Sequence, residues 1–313
     1  YNLAIHDDPE LRRAQQEHLA SSEIIKQAHA GFLPTLTFEA ESGKTRQDVQ
    51  ESENEVFSEG ASTFTNRRLA LTLNMPLYRH ANMVNLRQAR AQIKRADLAF
   101  ENAKQTLLIR VATLYFEALA AEAAYDFSES ERLSLQSHFD RTQLQRLRGL
   151  ASITDLYEAQ ARLAAVEARA IEAEDDWDDA LQALRGLNAA IPAGLSNLKG
   201  DLPTAPPEPD DVDLWETSAM ENNLALLTQR QAVEIARQEV QRFRATRLPE
   251  LNLLARNNWE KNGETLFGGG SDIETANFLV RLNFPIYQGG MALSRTREAT
   301  FNYRAALEES ERQ

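Results

Sequence analysis

The chain has 313 residues, 42% of them hydrophobic, with a formal net charge of −13 and a pI near 5.0. That acidic balance argues against nucleic acid as a partner, because phosphate binding needs clustered Lys and Arg to release counterions. Mean hydropathy is −0.48 and no run of about 18 apolar residues occurs, which excludes a transmembrane helix but not a transmembrane β-barrel, whose strands alternate instead. Cysteine is absent, which speaks against a disulfide-dependent secreted domain.

Tyr1 falls inside an apparent helix with no signal segment before it, so the chain reads as trimmed at its start. The first full helix covers 9–31 and ends in AGFLPTLTF, residues 30–38. Pro34 pushes Leu33 out of the helical region, so a strand is expected over 33–44. A second strand, over 62–77, runs into LNMPLY at 73–78; Pro76 cannot donate a ladder hydrogen bond, and the strand is expected to stop or leave its sheet there.

From Arg79 to Ile191 there is no proline and glycine only at Gly149 and Gly186, which reads as a helical hairpin over 79–190 with helices at 79–147 and 153–190. Leu86, Ile93, Phe100, Leu107 and Leu114 keep a seven-residue step. After Gly149, Ala159, Leu163, Val166, Ala170, Ala173, Trp177, Ala180, Leu184 and Leu187 alternate steps of four and three. Both series are coiled-coil seams, the second rich in alanine. At roughly 1.5 Å per residue the first helix would span about 100 Å and the second about 57 Å, with about 35 Å more from 9–31, which suggests a pillar. An ordinary solvent-exposed helical hairpin is the alternative.

Between the two helices, GLASITDL at 149–156 has the residues of a turn: Gly149 for the left-handed end of one helix, Ser152 or Thr154 to cap the next. Leu150 and Ile153 would be apolar there without a core of their own, so Gly149, Leu150, Ser152, Ile153, Thr154, Asp155 and Leu156 form a candidate partner surface. The alternative is a capped turn that meets nothing.

Residues 191–210 hold five of the ten prolines and read as a linker. A helix over 211–246 follows, then ATRLPELNL at 245–253, strands over 248–260 and 275–287, LNFPIY at 282–287 and a helix from 288 to 313. The order repeats that of the first half: Pro34 and Pro249 are 215 apart, Pro76 and Pro285 are 209 apart, and the six-residue difference falls in the loops. Gly149 lies 73 residues past Pro76; the same spacing from Pro285 falls near position 358, so the second repeat reads as truncated within its hairpin. Residues 1–190 and 211–313 are thus the two repeats.

All four strand segments alternate. Leu36, Phe38, Leu69, Leu71, Leu73, Leu251, Leu253, Phe278, Val280 and Leu282 occupy apolar faces and are expected to meet lipid. Thr35, Thr37, Glu39, Thr72, Asn74, Asn252, Arg256, Arg281 and Asn283 occupy polar faces and are expected to line a watery lumen. A sheet packed on helices alternates equally well, but charges stand in mid-strand and no compact amphipathic helix is evident to cover it. Four strands cannot enclose a lumen, since membrane barrels begin at about 8, so closure requires several copies.

Catalytic chemistry is not legible. His6, His18, His29, His80 and His138 lack metal-type spacing, GGGS at 268–271 is not followed by the Lys of a phosphate loop, and EAEDDWDD at 172–179 reads as a solvated helix face. No catalytic, metal or cofactor residue is assigned.

The paired AxxLPTL and LNxPLY motifs, with RGLASITDLYEAQARL at 148–163, resemble the TolC-type outer-membrane channels of Gram-negative efflux pumps and type I secretion systems, over essentially the whole chain. The resemblance implies a mixed α and β membrane protein: a homotrimer whose 12-stranded outer-membrane β-barrel, four strands per chain, continues into a long α-helical coiled-coil periplasmic tunnel, with 191–210 in the equatorial region. It implies a passive exit duct, not an enzyme. The implied partners are a periplasmic adaptor (membrane fusion) protein, an inner-membrane transporter of the resistance-nodulation-division or ABC type, and outer-membrane lipid. Thr154 and Asp155 match tip positions that in the family hold the entrance closed, whereas the pore-constricting aspartates belong to the second hairpin. The competing function is a soluble periplasmic coiled-coil adaptor or scaffold.

Overall fold

The computed structural model describes residues 4–51, 60–188, 194–196, 198, 208–264 and 269–313. The expected linker at 191–210 and the start of GGGS thus lie largely outside the described residues. In chain order the elements are α1 (Ala4–Asp7), α2 (Pro9–Ser22), α3 (Ile24–Ala30), β1 (Thr35–Val49), β2 (Gly60–Tyr78), α4 (His80–Leu147), α5 (Ile153–Asn188), α6 (Val212–Asn222), α7 (Leu224–Ala245), β3 (Glu250–Asn262), β4 (Ser271–Asn283) and α8 (Met291–Arg312). No described helix is long and apolar enough to cross a membrane. Two compact units are formed, one from 1–18 with 97–224 and one from 19–96 with 225–313.

The second unit carries one antiparallel sheet in the order β1-β2-β3-β4. Each LP step ends a helix and begins a strand as its restricted geometry requires: α3 ends at Ala30 before β1, and α7 at Ala245 before β3. Two ties fix these corners. Asn82, nearly buried in the first turn of α4, donates from Nδ2 to the Gly31 carbonyl, and Arg79 meets Glu250 at 3.1 Å.

The two prolines behave differently. Pro285 lies beyond the end of β4, but Pro76 does not stop β2, which continues to Tyr78. It pairs with Asn252, and the register then slips so that Tyr78 faces Leu251. The bulge accommodates a residue without a donor while β3 still holds the strand.

The first unit centres on Leu107, Leu184 and Leu187, packed with Leu11 and Ala4 and flanked by Phe100 and Leu114. Every seam residue from Ala159 to Leu187 is buried or half-buried, and none of the first seam is exposed. Farther along the hairpin, Tyr125 stacks on Trp177 with ring centroids 5.2 Å apart. Asp8, 2% exposed, accepts from the Leu11 backbone N–H at 2.7 Å and is paired by Arg110, which gives a buried carboxylate both a donor and a counter-charge.

Two expected helices are each divided in two. The span 9–31 breaks at Glu23, where the Ser22 hydroxyl donates back to the Leu19 carbonyl at 2.6 Å. The span 211–246 breaks at Asn223, whose backbone is extended while the Asn222 side chain bonds the Ser218 carbonyl.

Candidate functional site

Two surfaces gather the sequence-derived site residues. The first is the sheet. Directly opposed residues of an antiparallel pair share a face, so the register assigns faces across all four strands. Leu36 pairs Leu73, Phe38 pairs Leu71, Leu253 pairs Val280 and Leu251 pairs Leu282, with Leu69 and Phe278 joined through Ala40 and Ala255. The ten apolar residues therefore stand together on one face. Thr35 pairs Asn74, Thr37 pairs Thr72, Thr72 pairs Arg256 and Asn252 pairs Arg281, while Glu39 and Asn283 stand opposite Ala70 and Glu250; these nine stand on the other.

Among the described residues nothing covers the apolar face: Phe38 is 66% exposed, Leu282 67% and Phe278 81%. The polar face carries charge in mid-sheet, with Arg68 3.4 Å from Glu41. Alternation has exceptions near the middle of β3 and β4, where Leu254 and Leu279 pair on the polar face and Asn257 stands opposite Leu71 on the apolar one. The Asn257 amide donates to Glu274 at 3.0 Å, which satisfies part of its polarity.

The second surface is the α4–α5 turn. Gly149 has φ +76°, and the Gly149 and Leu150 N–H groups return to the Arg146 and Gln145 carbonyls at 3.0 and 2.8 Å, a paired closure that only a left-handed residue completes without strain. Of the two candidate caps, Ser152 takes the position: its hydroxyl accepts from the Asp155 N–H at 3.1 Å, and its own N–H donates to the Asp155 carboxylate at 2.9 Å. Leu150 is 75% exposed, and Ile153 and Thr154 are exposed as well, whereas Leu156 is half-buried. Leu147 and Tyr157, exposed on either side, extend this apolar surface; the sequence signal was their position off both seams.

The hydrogen bond from the Ser152 backbone N–H, with the Ser152 side chain beside it, holds the Asp155 carboxyl below its usual range. A depressed value means the cap contributes at and above ordinary carboxylate pH and is lost as pH falls through the lowered value. Amide-exchange protection at residues 152–157 is therefore expected to stay flat through neutral pH and to drop only in acid, below the usual aspartate range. In Asp155→Asn that acid-dependent drop should vanish.

A four-stranded antiparallel sheet with one apolar and one charged face, in a chain whose two LP steps each lead from a helix into that sheet, is the pattern of an outer-membrane channel subunit. The chain belongs to the outer membrane efflux protein family, whose model matches residues 1–189 and 215–313. Membership places it in the outer membrane of a Gram-negative bacterium. The alkaline protease secretion protein AprF of Pseudomonas aeruginosa is 31% identical over 303 residues, covering 96% of this chain and 63% of that protein. The outer membrane protein TolC of Vibrio cholerae is 27% identical, covering 99% and 69%. The fold is shared with the CmeC outer membrane channel of Campylobacter jejuni, at a TM-score of 0.79 with 17% identity, over 99% of this chain and 66% of CmeC. The chain thus spans roughly two thirds of these relatives, and less than that of AprF.

Proposed function

We propose that this protein is the outer-membrane exit duct of a tripartite efflux pump or type I secretion system, in which three copies close one 12-stranded barrel. The observation that carries the reading is the sheet: among the described residues one face is apolar and uncovered, the other is polar and charged, and β1 and β4 are each paired on one side only. Free edges leave unpaired N–H and C=O groups that lipid cannot satisfy, so the barrel must close on further copies. The apolar face meets lipid and the polar face lines the lumen.

The relatives supply the transport context: AprF is named for protease secretion. In this reading a periplasmic adaptor grips the exposed tip from Leu150 to Asp155, an inner-membrane transporter provides energy and selection, and the duct itself conducts passively without a catalytic step. Expressed in full, the protein should partition with outer membranes, require detergent for extraction and run as a trimer by mass in detergent. Release without detergent as a monomer would overturn the duct and favour a soluble adaptor or scaffold.

A further inference from the structure

We infer the register at which one copy's β4 pairs with the next copy's β1, and with it an ion pair across the seam. The inference rests on the barrel reading above and deepens it. Its basis is that the internal repeat is kept in hydrogen-bonding register. Moving β1 by 215 and β2 by 209, the spacings of the two proline pairs, converts Thr35↔Asn74 into Glu250↔Asn283 and Ala40↔Leu69 into Ala255↔Phe278. Both are pairs that the β3–β4 hairpin makes. The two hairpins are therefore the same unit used twice.

The joint between the units is β2–β3, and a ring built from them has only one other kind of joint, β4 to the β1 of the next copy. Carrying the observed β2–β3 pairing through the same two spacings gives the seam. Thr72↔Arg256 becomes Arg281 opposite Glu41, Leu73↔Ala255 becomes Leu282 opposite Ala40, and Arg68↔Glu260 becomes Asn277 opposite Thr45. The transfer keeps apolar with apolar and polar with polar, which a one-residue slip would reverse.

The charges agree with it. Arg281 is exposed and makes no ion pair among the described residues. Glu41 already meets Arg68 within its own chain at 3.4 Å. At the seam, Arg281 of the neighbouring copy closes on the other side of Glu41 and lies diagonal to Glu39, forming an Arg–Glu–Arg rung on the polar face. The carboxylates of β1 and the cation of β4 thus make two unlike edges of one sheet complementary.

The chain has no cysteine, so every covalent link can be engineered. Thr45→Cys combined with Asn277→Cys should give covalent dimers and trimers under mild oxidation. Thr45→Cys with Thr275→Cys, or with Leu279→Cys, tests a slip of two residues either way. The inferred pair should give roughly ten times more covalent product, because a two-residue slip carries the partners beyond the about 7 Å Cα reach of a disulfide. A slipped pair that links better, or no linkage from any pair in a protein that is trimeric by mass, would overturn the register and leave the duct standing. A protein that is monomeric by mass would instead remove the duct reading and the seam with it.

Discussion

Leu71→Arg should leave little trimer in the outer membrane, while Thr72→Arg, one residue along the same strand, should assemble. Leu71 stands in the middle of the apolar rungs of β2, between Phe38 and Asn257. A cation on a lipid face near the bilayer midplane costs about 2–4 kcal/mol per copy, and a closed trimer bears it three times. Thr72 faces the other way and pairs Thr37 and Arg256. An arginine there meets a like charge directly opposite, a penalty of up to about 1 kcal/mol in water. Thr72→Glu should be milder still, because it offers Arg256 a partner. Trimer yield in extracted membranes measures all three, and equal losses for Leu71→Arg and Thr72→Arg would mean that the faces are misassigned.

The parts of this fold that local chemistry dictates were legible in the sequence. The LP steps were read because proline restricts the residue before it whatever the tertiary context, and both seams because a helical period sustained over many turns fits neither a strand nor a loop. The strands proved longer than their alternation, since β1 continues through Thr45–Val49 and β2 begins at Gly60; ladder hydrogen bonds extend into polar residues that carry no face signal. At Pro76 the missing donor is local and legible, but the bulge against β3 that lets the strand continue is a property of the pair. Leu254 and Leu279 each interrupt the polar face of their own strand, and only the register shows that the two interruptions face each other as one apolar pair. Glu23 and Asn223 divide helices without Gly or Pro, so no breaker marks either position in the sequence.

At the helix turn, Gly149→Ala and Gly149→Trp should separate what the chain needs from what a partner needs. A Cβ at Gly149 would meet nothing within 4 Å, so both substitutions carry the same backbone penalty, about 1–2 kcal/mol for a left-handed residue, and neither clashes within the chain. Efflux or secretion in Gly149→Ala should fall modestly; any further fall in Gly149→Trp, at unchanged trimer yield, reports a surface docked on the tip. Equal activity of the two variants would mean that nothing docks there. Closure of the entrance is tested one turn on. Asp155→Asn keeps an oxygen for the Ser152 N–H but removes the charge, while Ser152→Ala removes the hydroxyl half of the cap and leaves the carboxylate. If Asp155 links neighbouring tips, the substitution turns a charge-assisted bond into a weaker neutral one in each of three copies, and the closed state loses stability three times over. Single-channel conductance in planar bilayers should therefore rise in Asp155→Asn and stay low in Ser152→Ala; a rise in both would assign the closed state to the integrity of the turn instead of to a bond between chains.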